Sequence, residues 1–563
     1  MTWGKRRALI IGLVILFFIF IVWAMSWSNR VPSNSVLVLQ LSGPIEEQRP
    51  VDLFSAFGGT VPVLHDYTDA IDTARADPKV AGLVVRIGPL ATGWGKLEEI
   101  RSRVLEFRKS RKPSICYLGA DGIGNPEYYL ATSCEQVWLV PTAPMYVRGM
   151  MAQALFLRGT LDKLKIVPDY YHIAEYKTAP NQMTEKKFTP AHREELDSLL
   201  RGIYNQYLTE ASEARGLSRS DFETLVKQGP FQAGEAEKRK LVDRLAYWDQ
   251  VQNYFKDRGK GWNPVELGRY RSEIRNLGGA KIAVVHATGL IVSGQSENAP
   301  TGGFIMGGDS VSSDIRKARE DSSIRAIVLR VDSGGGSAVA SEVIRREVEL
   351  ARREKPVVVS MSDVAASGGY WISMSANKIV ADPNTITASI GVYIGKLNIA
   401  GLFGLLGLST DFIATSDNAT LFSEQQNFTP AQQQAIQKWM QEVYFNFTHG
   451  VAAGRNMSVE AVDKIGKGRV WTGAQAKDLG LVDELGGLDR AVGVAKQLAH
   501  IPADRSVRIV RFPEEKTFFQ VLLEKQMGAR SLELGNLDAL LRKVGILNEP
   551  VQARVPFLEL RIR

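Results

Sequence analysis

The sequence has few of the residues on which disulfide and metal chemistry depend. Only two cysteines, Cys116 and Cys134, occur in 563 residues, and neither has metal-ligand spacing with a histidine or a second cysteine pair. We interpret them as two separate buried apolar residues; a disulfide between them is the alternative. The His-Glu-x-x-His pattern of zinc peptidases and the Walker phosphate loop are also missing. We therefore expect no metal and no cofactor.

The charge balance also narrows the range of partners. The net charge is +8, from 69 Lys and Arg residues against 61 Asp and Glu residues, and the two signs are interspersed along the chain. No basic stripe interleaved with aromatic residues is present, so we expect no nucleic-acid partner. The length exceeds what one ordinary core can hold, which indicates two or more domains.

One long apolar run lies near the amino terminus. Residues from Ala8 to Met25 carry no charge and are about long enough to cross a bilayer. Three basic residues precede the run and two tryptophans mark its far end, so the positive-inside rule leaves the start in the cytoplasm and exports the rest. We predict one uncleaved transmembrane helix within residues 1–30. A cleaved signal peptide is the competing interpretation.

The second half of the chain repeats the first. Val36–Ile45 matches Ile282–Ile291, and Phe188–Ala191 matches Phe428–Ala431. Each half alternates short β-rich runs with helix-like segments, which is typical of α/β layers with crossover helices. The predicted parts are an anchor at 1–30, an N-terminal domain at 31–275, a C-terminal domain at 276–500, and a tail of unknown role at 501–563.

A serine between small residues is the clearest sign of catalysis. Ser367 follows an apolar strand-like run and precedes a helix-like run, so its small neighbours allow a sharp turn that exposes the hydroxyl. An upstream glycine turn, from Asp332 to Ser337, also ends a strand-like run, and its backbone N–H groups could hold an oxyanion. We predict Ser367 as the nucleophile. The predicted oxyanion donors are Gly368, Gly335 and Gly336.

The general base must come from another part of the chain. Aligning the two halves puts Asn125 opposite Ser367 and Lys177 opposite Asp417, so one half keeps the serine and the other keeps the lysine. This reciprocal loss suggests a composite site of Ser367 and Lys177. The alternative is that Lys177 is one solvated surface lysine among many.

Other side chains compete for roles at this site. Ser389 could orient the lysine amine, or it could bond only to its own backbone as a turn serine. Lys396 is a rival base, for which a surface position is the favoured interpretation. A Ser–His–Asp triad would need His172 or His286, but no Gly-x-Ser-x-Gly elbow surrounds the serine, so we disfavour a histidine base.

Several motifs occur in the order found in one peptidase family. They are Tyr176–Ala179, Asp332–Ser337, Ala366–Tyr370, Ser389–Val392 and Val470–Ala476. From about residue 35 to 500 the chain resembles the signal peptide peptidase A (protease IV) family in its long, duplicated bacterial form. The resemblance implies an α/β fold of two tandem ClpP/crotonase-like domains, with Lys177 as general base for Ser367. The family turn usually reads Asn-Ser-Pro-Gly-Gly; here Asp332 and Gly334 replace the Asn and the Pro.

The resemblance also implies a function. It indicates a serine endopeptidase, anchored in a bacterial inner membrane and facing the periplasm, that degrades cleaved signal peptides. The expected partners are peptide substrates, the membrane and three further copies of the chain in a homotetramer. A non-catalytic membrane-associated scaffold of the same fold is the alternative, favoured by the altered glycine turn. Catalysis would require burial to lower the lysine pKa to about 7–8, since an exposed lysine is protonated at neutral pH.

Overall fold

The computed structural model describes residues 31–49, 61–259, 261–271, 278–298, 303–514, 551–554 and 561–562. The apolar run at 8–25 lies outside these residues, so the transmembrane helix remains a prediction. Within the described ranges, no helix combines the length and the hydropathy that a bilayer crossing needs.

The first half folds as a parallel sheet covered by helices. Its strands are β1 (Ser35–Gly43), β2 (Val80–Leu90), β3 (Ser114–Leu118), β4 (Gln136–Leu139), β5 (Ala152–Gln153), β6 (Val167–Ile173), β7 (Arg244–Leu245) and β8 (Asn263–Glu266). Six of them form one sheet in the order β7-β4-β3-β2-β1-β8, and all its neighbours run parallel. Central strands of this kind are buried on both faces, which explains the continuous Leu-Val-Val run in β2.

Crossover helices connect these strands. They are α1 (Leu64–Ala76), α2 (Trp94–Arg108), α3 (Asn125–Ala131), α4 (Arg158–Lys163), α5 (Asn181–Thr184), α6 (Pro190–Arg215), α7 (Arg219–Gln228), α8 (Ala233–Lys238), α9 (Trp248–Asp257) and α10 (Leu267–Tyr270). The longest, α6, begins where Thr189 accepts a hydrogen bond from the His192 N–H and Pro190 takes the first helical position. It ends at Gly216, whose φ of +63° suits glycine.

The second half has the same sheet. Its strands are β9 (Ala280–Thr288), β10 (Leu290–Val292), β11 (Glu297–Asn298), β12 (Phe304–Gly307), β13 (Ile324–Ser333), β14 (Gly335–Ser337), β15 (Val357–Ala366), β16 (Lys378–Ala381), β17 (Ile386–Ala388), β18 (Val392–Asn398), β19 (Val470–Thr472), β20 (Glu484–Leu485) and β21 (Val507–Phe512). The parallel order β20-β16-β15-β13-β9-β21 repeats that of the first sheet strand for strand. The duplication inferred from the sequence is therefore present in the fold. Because β21 lies beyond residue 500, the start of the predicted tail completes the second sheet.

The helices of the second half follow the same plan. They are α11 (Gly308–Glu320), α12 (Ala338–Glu354), α13 (Gly368–Ser373), α14 (Ala400–Leu405), α15 (Pro430–Arg455), α16 (Val459–Ile465), α17 (Gly473–Asp478) and α18 (Leu488–Leu498), with a 3₁₀ turn at Asp417–Thr420. Helices α6 and α15 both span 26 residues and both begin with Thr-Pro, at the end of a matching motif.

A third sheet joins the two halves. Strand β6 of the first half pairs antiparallel with β18 of the second, from Ile173 opposite Val392 to Val167 opposite Asn398. On the other side of β18 lies β22 (Val551–Arg554), which in turn pairs antiparallel with β14. A last strand, β23 (Arg561–Ile562), pairs with β5. The chain that follows β6 is therefore held against the second half.

The two cysteines form a disulfide. Cys116 lies on β3 and Cys134 just after α3, with their Cα atoms 5.6 Å apart, a separation that a disulfide spans. The interpretation of two separate thiols is wrong, because the helix after β3 turns back and packs Cys134 against that strand. Both residues remain buried in the first apolar core, as that interpretation expected.

Candidate active site

Ser367 sits at the junction between β15 and α13. Its φ is +55° and its ψ is −113°, a backbone conformation that residues other than glycine rarely adopt. Its N–H donates to the Ala388 carbonyl at 2.6 Å, and its carbonyl accepts from the Trp371 N–H at 2.8 Å. A strained backbone of this kind persists only where surrounding contacts hold it in place, and it is frequent at functional sites. The predicted nucleophile is thus held at a tight strand-to-helix turn.

Lys177 reaches this serine from the first half. It lies four residues after β6, which pairs with β18, and the N–H of its neighbour Tyr176 donates to the Lys467 carbonyl at 3.1 Å. The Lys177 Nζ lies 2.6 Å from the Ser367 Oγ. The interpretation of Lys177 as a surface lysine is wrong, because the residue is 0% exposed.

Ser389 contacts the lysine amine. The Lys177 Nζ lies 3.0 Å from the Ser389 Oγ and 3.2 Å from the Ser389 carbonyl oxygen, while that Oγ donates to the Gly468 carbonyl at 3.2 Å. A neutral amine has two N–H groups and one lone pair. If both N–H groups donate to Ser389, the lone pair remains for the hydroxyl proton of Ser367. Of the two interpretations of Ser389, the structure therefore favours contact with the amine.

Burial changes the proton affinity of this lysine. It lowers the pKa of Lys177 from 10.5 to about 7, and the charge of Glu195 opposes part of that shift. About half of the amine is then neutral at neutral pH, which a general base requires. The environment on which a lysine base depends is present here.

Glu195 is a neighbour that sequence reasoning missed. Its carboxyl oxygens accept from the Thr178 hydroxyl at 3.2 Å and from the Val470 N–H at 3.1 Å, so it connects the lysine loop to β19. Burial raises the pKa of Glu195 to about 8. A signal existed in the sequence, because Glu195 falls on the buried face of α6 between His192 and Leu199. An acidic residue on such a face needs a partner.

Two glycines leave room for the lysine. A Cβ on Gly468, whose φ is +81°, would lie 2.4 Å from the Lys177 backbone nitrogen. A Cβ on Gly391 would lie 3.1 Å from the Lys177 Cδ and 2.8 Å from the Gly468 Cα. Backbone and side chain approach too closely for any other residue at Gly468. Sequence reasoning found Gly391 only as part of a motif and missed Gly468.

The three predicted oxyanion glycines lie together. A Cβ on Gly368 would lie 3.0 Å from the Gly335 Cα and 3.1 Å from the Gly336 nitrogen, so the first residue of α13 touches β14. The Gly335 N–H, however, already donates to the Ser333 Oγ at 3.1 Å. The Gly336 and Gly368 N–H groups are therefore the better candidates for an oxyanion.

The rival bases contact other groups. Lys396 donates to the Leu421 carbonyl at 2.9 Å and lies 4.3 Å above the Phe428 ring; it is buried, so its interpretation as a surface residue is wrong. The His172 Nδ1, on β6, lies 2.8 Å from the carbonyl oxygen of Ala174, just after that strand. The His286 Nδ1 lies 3.9 Å from the Glu47 carboxylate, and burial lowers the pKa of His286 to about 4.

Comparison with known proteins identifies the family. Residues 106–261 and 349–502 match the model of peptidase family S49. The chain belongs to peptidase family S49. It is 34% identical over 548 residues to "Serine protease SPPA, chloroplastic" of Arabidopsis thaliana, covering 95% of this chain and 79% of that protein. It is 34% identical over 485 residues to "Protease 4" of Salmonella typhi, covering 83% and 76%.

Membership of the S49 family makes this chain a serine peptidase. A shorter relative, "Putative signal peptide peptidase SppA" of Enterococcus faecium, is 33% identical over 184 residues, which are 32% of this chain and 54% of that protein. Among solved structures, a ClpP1 point mutant from Listeria monocytogenes is 18% identical with a TM-score of 0.24, covering 37% of this chain and 94% of that one.

Proposed function

We propose that this S49 peptidase is a membrane-anchored endopeptidase that works with a Ser–Lys dyad. Ser367 is the nucleophile and Lys177 the general base. The observation that carries the proposal is the 2.6 Å contact between the buried Lys177 Nζ and the Ser367 Oγ. A weak hydroxyl nucleophile requires a base at this distance, and the lowered pKa of Lys177 makes the amine available as one.

Each residue has a defined task in acylation. The Ser367 hydroxyl gives its proton to the Lys177 amine while Oγ attacks the scissile carbonyl carbon, which becomes tetrahedral and anionic. The N–H groups of Gly336 and Gly368 donate to that oxyanion; losing one such donor costs about 3–4 kcal/mol in other enzymes. The lysine ammonium then protonates the departing amine as the tetrahedral intermediate collapses to the acyl-enzyme.

Deacylation reuses the same groups. Lys177 takes a proton from a water molecule, the resulting oxygen attacks the acyl carbon, and the proton returns to the Ser367 Oγ as the acid product leaves. Two of the three ammonium hydrogens donate to the Ser389 carbonyl and hydroxyl oxygens, at 3.2 and 3.0 Å, throughout. The third position, a hydrogen in the ammonium and a lone pair in the neutral amine, therefore points toward the reacting atoms, which keeps the amine from rotating away from them.

The position beside β14 suits an extended peptide. Strand β22 already pairs antiparallel beside the predicted oxyanion strand, with Arg554 opposite Gly335 and Ala553 opposite Gly336. This pairing supports a substrate bound by addition of a strand, in which backbone hydrogen bonds supply affinity with little dependence on sequence. We propose cleaved signal peptides as substrates, in line with the name of the Enterococcus relative.

The proposed location rests on two features. The apolar run at 8–25 would anchor the chain in a bacterial inner membrane with both domains in the periplasm. The Cys116–Cys134 disulfide supports an oxidising compartment, because such bonds seldom persist in the cytosol. We further propose that both domains are ClpP/crotonase-like. We also propose a homotetramer, which cross-linking and mass measurement of the detergent-extracted chain would test.

The dyad is tested by replacing its members one at a time. Ser367→Ala and Lys177→Met should both abolish peptide cleavage, and Ser367→Ala should also abolish labelling by a fluorophosphonate probe. Lys396→Met is the matched control, since it removes another buried lysine whose amine contacts Leu421 instead. Full activity in the Lys177→Met variant would eliminate the lysine base. A wild-type chain that neither cleaves peptides nor takes up the probe would point to the scaffold alternative.

A further inference from the structure

A second buried lysine connects the first half to the two strands that lead to the oxyanion glycines and to Ser367. Lys96, on α2, is 6% exposed. Its Nζ lies 2.7 Å from the Asp332 carboxylate and 3.2 Å from the Asp363 carboxylate, both of which belong to the second half. One ammonium therefore bridges two acidic side chains across the boundary between the halves. We refer to Lys96, Asp332 and Asp363 as the Lys96 cluster.

The two aspartates lie on the strands that lead to the predicted oxyanion glycines and to Ser367. Asp332 is on β13, directly before the turn that leads into the predicted oxyanion strand, and its carbonyl accepts from the Gly289 N–H at 2.9 Å. Asp363 is on β15, four residues before Ser367. The Asp332 carboxylate also accepts from the Val364 N–H at 3.2 Å, which ties these two neighbouring strands together.

The backbone of α2 strengthens the same contact. The Asp363 carboxylate accepts from the Gly93 N–H at 3.1 Å and from the Lys96 N–H at 2.9 Å. It thus caps the helix start from the other half, where a negative charge is favoured. A Cβ on Gly93 would lie 2.3 Å from the Asp363 carboxyl carbon, so only glycine fits at this position.

The ammonium of Lys96 stays charged in this setting. Burial alone would lower the pKa of Lys96, but Asp332 and Asp363 outweigh it and raise that pKa well above its usual value. A second ion pair across the boundary lies alongside, where the buried Arg330 contacts Glu47 at 2.7 Å. Breaking a buried pair is costly because it leaves a charge without a partner.

We propose that Lys96 is a positioning residue that sets the distance between the oxyanion glycines and Ser367. It does so through the strands that carry Asp332 and Asp363, without touching the substrate. This inference rests on the proposed dyad. It also explains the departure at Asp332 from the usual Asn of the family turn, since a carboxylate at this position finds its counter-charge in Lys96 of the same chain.

Steady-state kinetics of Lys96→Met test the proposal. Misplacing the catalytic groups should lower kcat about 10- to 100-fold. The KM for a peptide should change little, because Lys96 contacts no substrate. The second-order rate of fluorophosphonate labelling at Ser367 should fall in parallel. Lys109→Met is the matched control: it lies at the end of the same helix, its side chain is 70% exposed, and its kinetics should match the wild type.

Rescue distinguishes positioning from a general loss of stability. Adding Asp332→Asn to Lys96→Met removes one of the two carboxylates that lose the ammonium and restores the residue type usual in the family turn. The other, Asp363, keeps its backbone N–H donors from Gly93 and residue 96, so most of the lost kcat should return. Asp332→Asn alone should lower kcat, because Lys96 then keeps only one partner. The two changes are therefore expected to be strongly non-additive.

Two outcomes would overturn the proposal. One is a folded Lys96→Met protein with wild-type kcat; the other is a double variant in which the two losses simply multiply. If Lys96→Met yields no folded protein, the Asp332→Asn variant and the double variant still test the proposal. The proposal then predicts that the double variant folds and cleaves peptides. An inactive wild-type chain would instead refute the proposed function, so the two failures are distinguishable.

Discussion

Removing Lys177, the proposed general base, should make the folded protein more stable at neutral pH. The pKa of Lys177 falls from 10.5 to about 7 on folding, so folding favours the neutral amine. Below the unfolded pKa the unfolded chain binds a proton that the folded chain resists, and this lowers the free energy of unfolding. Lys177→Met removes that cost, because methionine has no proton to bind.

The pH dependence of the effect can be worked out from the two pKa values. At pH 7 the unfolded lysine is protonated and the folded one is about half protonated, which corresponds to a cost of about 4 kcal/mol. At pH 10 the unfolded lysine is itself about one quarter neutral, and the cost falls to about 1 kcal/mol. The substitution also leaves the Ser389 carbonyl without its donor, at about 1–3 kcal/mol, but this loss does not depend on pH.

Urea unfolding of wild type and Lys177→Met at pH 7 and pH 10 measures this difference. The variant should gain about 3 kcal/mol more, relative to wild type, at pH 7 than at pH 10. Lys109→Met serves as control, since its exposed ammonium has no burial cost to lose, and it should show the same small change at both pH values. A Lys177→Met advantage that is equal at pH 7 and pH 10 would refute a buried amine with a lowered pKa.

Three further predictions concern the activity itself. The value of kcat/KM should rise about tenfold per pH unit below pH 7 and level off above it, because the neutral Lys177 amine is the active form; a rise centred near pH 10 would contradict this. Glu195→Gln should move the rising limb to lower pH by only a small amount, since the Glu195 carboxylate raises the pKa of Lys177 but is itself mostly protonated below about pH 8; a shift to higher pH would reverse the argument. Deleting residues 551–563 should lower KM about tenfold if β22 occupies the substrate position beside β14 about nine-tenths of the time. Deleting only 561–563 leaves β22 in place and should leave KM unchanged.

Sequence patterns predicted the elements that repeat or that lie close along the chain. The apolar runs at Val357–Met361 and Ile324–Val331 became β15 and β13, which extend further, to Ala366 and Ser333. The turn between strand and helix at Ser367 became the strained junction. Comparing the halves also picked out Lys177, because reciprocal loss is visible without coordinates. These predictions depend on local periodicity and internal alignment, which one sequence contains.

Contacts between distant charges could not be predicted in this way. Lys96 resembles a surface residue of a helix until the opposing half covers it. Glu195 lies on the buried face of α6, but the sequence does not show that its partner Val470 comes from the other half. The disulfide was the alternative and not the favoured interpretation for a similar reason, since pairing depends on how closely the helix after β3 packs on that strand. From the sequence alone, Asp332 only disturbs the oxyanion turn, because its partner, Lys96, lies in the other half.

The two halves contribute different residues to the proposed dyad, and the low pKa that a lysine base requires explains why both are needed. An exposed lysine is protonated at neutral pH and cannot accept a proton from serine. Ser389 accepts from the Lys177 amine, and Gly391 and Gly468 pack closely against the lysine; all three come from the second half. The strand that precedes Lys177, β6, comes from the first half. The low pKa is therefore a property of the joined halves, because neither supplies both the lysine and its covering. The alignment of the halves agrees with this arrangement, because Asn125, which accepts from the Arg148 N–H, lies opposite Ser367, and Asp417 lies opposite Lys177.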